Sequence, residues 1–84
     1  MEIEIEVKHL KTYLSIMISS EGSLASEITE KLRNLGFETS LGSHDFVYTW
    51  KDKEIVPTDV IKFVDKVQTQ LKGMGVRFST TTIM

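Results

Sequence analysis

The apolar residues of this chain change period along its length, and that change constrains the fold more than any short motif does. Over residues 13 to 19, Leu14, Ile16 and Ile18 hold the even positions, the alternation of a half-buried strand. Leu24, Ile28, Leu32 and Leu35 then recur at spacings of four, four and three, which is one stripe of an amphipathic helix. Alternation returns in Phe37, Thr39 and Leu41 and again in Phe46, Tyr48 and Trp50, on either side of the turn Gly42-Ser43-His44-Asp45, so this stretch predicts a hairpin. Val60, Val64, Val67 and Leu71 make a second helical stripe flanked by Ile61 and Phe63. The β-branched run from Val76 to Ile83 predicts a last strand.

Local signals punctuate the same elements. Ser23 is a candidate N-cap, Glu27 precedes Lys31 in the favourable order, and Gly36 supplies a left-handed stop. Lys51 to Glu54 reads as a charged surface turn. Pro57-Thr58-Asp59 places proline in the first helical turn and an acid near the positive end of the helix, and Gly73 and Gly75 close that helix. The predicted helices cover 24 to 35 and 58 to 72, and the predicted strands 13 to 19, 37 to 41, 46 to 50 and 76 to 82. Read in order, β-α-β-β-α-β, they describe an α+β fold: the split, ferredoxin-like sandwich, with an antiparallel sheet and two helices on one face. With 84 residues the chain is expected to be one such domain over 1–84.

An extra segment precedes that pattern. Ile3, Ile5 and Val7 alternate with Glu2, Glu4 and Glu6, which predicts an additional strand with a solvated acidic face. Its apolar residues are odd-numbered and those of 13 to 19 are even, so a bulge or turn is expected within Lys8 to Thr12. In the ferredoxin-like topology the strand before the first helix is central and flanked on both sides. The extra segment must therefore extend that strand, add to a sheet edge, or reach a second subunit.

Composition excludes several partners and chemistries. A net charge of -2 with scattered lysines and arginines offers no basic stripe, so nucleic acid is not expected as a partner. Without cysteine there are no disulfides, thiolate nucleophiles or Cys-based metal sites. The acidic start and the lack of any apolar run near 18 residues speak against a secretory signal or a membrane span, and a cytoplasmic setting is the default expectation. A domain this small buries only about 60 to 65% of its unfolded surface, so a homodimer is expected.

The run Ser20-Glu21-Gly22-Ser23-Leu24-Ala25, followed by Ile28, Leu32 and Leu35-Gly36-Phe37, resembles the opening strand-loop-helix of ACT domains, small regulatory modules of ferredoxin-like fold. Gly22, Leu24, Ala25 and Gly36 match that pattern; Ser19 or Ser20 stands in place of its Asp, and Glu21 in place of its Pro. More loosely, the resemblance runs over residues 13 to 83. It implies a dimeric sensor of an amino acid or small metabolite, with the ligand at a subunit interface against the backbone of Ser20, Glu21, Gly22, Ser23 and Leu24. A glycine lets backbone approach a ligand, and N–H groups at a helix start receive a carboxylate. Any strand-to-helix connection needs a turn glycine and a cap as well, so these residues also suit a purely structural loop.

Catalysis finds no assembled motif. His9 and His44 each fall in a predicted turn without an evident partner, and His44-Asp45 alone does not make a metal site. Ser20 to Ser23 lacks the arginine of acylphosphatases, and the chain lacks the cysteine pair of metal-carrier domains of this fold. Phe46, Tyr48 and Trp50 have the spacing of a base-stacking platform but not the basic and glycine-aromatic residues that accompany one; packing in the core or at an interface suits these rings better. No catalytic residue, metal or cofactor is expected. The functional expectation is a non-enzymatic binding or regulatory domain, with an ACT-like sensor as its sharpest form. A protein-interaction or assembly domain using the open sheet face and the N-terminal strand is the alternative.

Overall fold

The computed structural model describes residues 10–42, 44–51 and 54–83. Six elements follow one another: β1 (Lys11–Ile18), α1 (Ala25–Asn34), β2 (Glu38–Thr39), β3 (Phe46–Thr49), α2 (Pro57–Leu71) and β4 (Val76–Ile83). The strands form one antiparallel sheet in the order β2-β3-β1-β4. β1 is thus central, as the sequence predicts, and the α+β architecture is compatible with a ferredoxin-like arrangement. The predicted extra strand, His9 and most of the expected parity change lie outside the described residues.

Register explains which face is buried. Leu14 lies opposite Phe46 on one side and Thr80 on the other, and Ile16 opposite Phe78, so the even positions of all three strands point the same way. On that face Leu14 and Phe46 pack with Ile28 and Leu32 of α1 and with Val67 and Leu71 of α2, joined by Phe37. Both helices therefore cover one side of the sheet. Each such side chain contributes roughly 1.5 to 3 kcal/mol by leaving water.

The helix ends are built locally. At the end of α1, Phe37 N–H donates to Leu32 C=O and Gly36 N–H to Arg33 C=O, a Schellman closure with Gly36 at φ 103°. Pro57 opens α2, and the Asp59 carboxylate accepts from the Val56 N–H at 3.2 Å, satisfying a donor at the positive end.

Five local expectations are corrected. Ser23 is not the N-cap of α1: its N–H donates to Met74 C=O at 2.8 Å, which holds it in the loop, and Leu24 takes the capping position without a side-chain bond. Leu24 lies 66% exposed, one turn ahead of the buried stripe, and Ile61 is 60% exposed on the outer side of α2. β2 is two residues long rather than five, because Ser40 N–H already bonds Asp45 C=O and turns the chain. Trp50 lies just past β3, although its N–H still bonds Leu10 C=O.

Candidate functional site

Three surfaces hold the residues that could act. The first is the β1–α1 loop with Ser20, Glu21, Gly22, Ser23 and Leu24. Its backbone is largely engaged within the chain: Glu21 N–H donates to Ser19 Oγ, Gly22 N–H to Ser19 C=O and Ser23 N–H to Met74 C=O. Gly22 meets the α2–β4 loop directly, since a Cβ there would sit 2.5 Å from Met74 O and 3.0 Å from Gly75 Cα. The closeness that Gly22 permits is thus closeness to Gly75. Donors for an anion on this loop would come from the first turn of α1, where the N–H groups of Ala25 and Ser26 have no intrahelical partner.

The second surface is the sheet face away from the helices. It carries Tyr13, Ser15 and Met17 of β1 and Arg77, Ser79, Thr81 and Ile83 of β4, with Met17 71% and Ile83 51% exposed. His44 lies over this face, its ring 5.0 Å from that of Tyr13 and its Nδ1 3.2 Å from Ser15 Oγ. Asp45 turns Oδ2 to the Ile16 N–H at 2.8 Å. That carboxylate extends the β1 ladder past the start of β3; the hydrogen bonds found do not place it behind His44 as a nucleophile–base–acid chain would need. Sequence reasoning missed this cluster because it joins a turn to a strand across the sheet.

Phe46, Tyr48 and Trp50 are on the opposite, helix-covered side. Tyr48 and Trp50 pack with Phe63 at ring-centroid distances of 4.3 and 5.2 Å. Trp50 Nε1 donates to Thr12 Oγ1, which lies 2.8 Å from Thr82 Oγ1. Among the described residues the open face therefore lacks the row of rings on which bases would stack. Thr12 is fully buried, and its even position, in phase with Leu14, was the sequence signal for this.

The third surface is the outer edge of β4. Among the described residues no strand lies beside it, while Val76, Phe78, Thr80 and Thr82 are only half-buried. Where β4 begins, a groove of about 1210 Å³ runs between it and the end of α2, with Ile18, Leu71, Val76 and Phe78 among its apolar lining and Asp65, Lys72 and Arg77 among its charged lining. Ser19 and Gly75 reach the same groove, which joins it to the β1–α1 loop. Among the described residues no three His, Asp or Glu side chains gather as a metal site, and no helix is long and apolar enough to cross a membrane. No known family model, curated protein or solved structure matches this chain at a significant level.

Proposed function

We propose that the chain is a non-enzymatic binding domain of ferredoxin-like architecture that works through protein association, with a homodimer as its basic unit. The observation that carries this reading is the outer edge of the eight-residue strand β4, unpaired among the described residues, beside a sheet face on which Met17 and Ile83 are exposed. Unpaired strand edges recruit further strands, and a small domain gains from any partner that removes apolar surface from water. A cytoplasmic setting belongs to the same proposal. Sedimentation equilibrium of the full-length chain tests it: a reversible dimer at micromolar concentration is expected, and a chain that stays monomeric at high micromolar concentration overturns it.

A second reading, the ACT-like sensor of an amino acid or small metabolite, draws on the groove beside Ser19 and Gly75. Lys72 and Arg77 in its lining, against the single acid Asp65, would attract a carboxylate, and the adjoining loop Ser20 to Leu24 would line its approach. Thermal unfolding in the presence of amino acids and common metabolites tests this reading. A ligand at about 100 times its dissociation constant adds roughly 2.7 kcal/mol, so no shift with any of them removes it.

A further inference from the structure

We infer that the partner at the β4 edge is a second copy of the same strand, pairing antiparallel across a two-fold axis to join two sheets into one. This rests on the association reading above and names its contact.

β4 pairs with β1 along its whole length, from Val76 opposite Ile18 to Ile83 opposite Lys11. Its other side turns outward the N–H and C=O groups of about every second residue. The strand's own sequence does little to blunt such an edge: Val76–Ile83 contains no proline, no glycine and no acid, and its one charge is Arg77. The sheet's opposite edge is different. β2 has two residues, one of them Glu38, too short and too acidic to serve as a template. Among the described residues, one long open edge and one short acidic edge favour a closed pair, since an isologous contact uses up the long edge and leaves no second such edge to propagate a filament.

The sequence of β4 suits pairing with itself. Antiparallel partners share a sheet face, so a two-fold axis must pass through one residue, and the central choices are Ser79 and Thr80. About Ser79, Arg77 faces Thr81 of the second copy; about Thr80, Arg77 faces Ile83 and Ser79 faces Thr81. Neither register sets Arg77 against another arginine. Both bring hydroxyl and β-branched residues together, pairs that stabilise a ladder. The half-buried Val76 and Phe78 would gain cover where α2 leaves them open.

Charge placed on the exposed positions Ser79 and Thr81 tests this in the full-length protein. In the S79K/T81K variant lysine meets lysine or arginine in either register, and in R77E/S79E/T81E, where the exposed Arg77 is changed as well, glutamate meets glutamate in either register. Each variant alone should dimerise on the order of 100-fold more weakly than wild type, and an equimolar mixture should restore a heterodimer, because opposite charges then face each other. Circular dichroism of each variant reports whether the monomer keeps its fold. Variants that dimerise as wild type does overturn the β4 contact and leave the association reading standing. Dimers lost in both variants and not recovered on mixing also overturn it. A wild-type chain that remains monomeric overturns both.

Discussion

Gly22 and Gly75 meet through bare backbone: a Cβ built on Gly75 would lie 2.8 Å from Gly22 Cα. The β1–α1 and α2–β4 loops are pressed together there and tied by Ser19 N–H to Gly75 C=O and Ser23 N–H to Met74 C=O. Gly75 has the further constraint of φ 68°, a conformation that side-chain-bearing residues adopt at a cost.

Alanine at either glycine should therefore destabilise the fold. Gly75→Ala combines backbone strain with a clash and should cost about 2 to 4 kcal/mol; Gly22→Ala, whose new methyl meets backbone that cannot rotate away, should cost about 1 to 3 kcal/mol. Urea denaturation measures both. A neutral Gly22→Ala would mean that the two loops do not touch in solution.

Truncations in the core should rank by burial. Leu32→Ala and Val67→Ala remove atoms from fully buried sites, and the first should cost about 2 to 5 kcal/mol. Val64 is on the same stripe of α2 but only half-buried, so Val64→Ala should cost less than Val67→Ala. An equal or reversed order would place the inner face of α2 elsewhere around the helix.

Much of this arrangement was legible in apolar spacing. Even positions in 13 to 19 fixed which side of β1 is buried, and a four-four-three stripe fixed the inner face of α1, because each regular element has only one period. Spacing says less about ends. Leu41 continues the alternation of Phe37 and Thr39 yet is fully exposed, since Ser40 already closes the turn onto Asp45. Leu24 has helical spacing but precedes the helix. The candidate site was harder to see. Gly22 announces a close approach without naming what approaches, and its neighbour Gly75 comes from a loop far along the chain. That β4 carries no proline, glycine or acid is visible in its sequence; that no described strand lies beside it, and the groove there, depend on how the other elements come to lie.

Asp45 offers a test on the open face. Its Oδ2 accepts the Ile16 N–H at 2.8 Å, standing in for the backbone carbonyl that a longer β3 would supply. Asp45→Ala should cost about 0.5 to 1.5 kcal/mol and speed amide hydrogen exchange at Ile16, while Asp45→Asn, which keeps an acceptor, should have the smaller effect. Unchanged exchange at Ile16 in the alanine variant would show that this bond does not persist in solution.

The Thr12 hydroxyl should couple two residues that do not follow each other in the chain. It accepts from Trp50 Nε1 at 2.8 Å and lies 2.8 Å from Thr82 Oγ1, in a side chain that is wholly buried. A hydroxyl that accepts one bond still has its own proton to donate, so Thr12 can serve both neighbours at once. Thr12→Val keeps the shape and leaves both partners without it, which should cost about 1 to 3 kcal/mol. Thr82→Val removes one bond from a half-buried position and should cost about 0.5 to 1.5 kcal/mol. Once Thr12 is valine, the Thr82 hydroxyl has already lost its partner, so the double variant should fall short of the sum by about 0.5 to 1.5 kcal/mol. Trp50 is the only tryptophan, so its fluorescence follows unfolding in all four proteins from within the network itself. Additive costs would mean that Thr12 and Thr82 are stabilised independently, and the chain of bonds from Trp50 across β1 to β4 would fail as a unit.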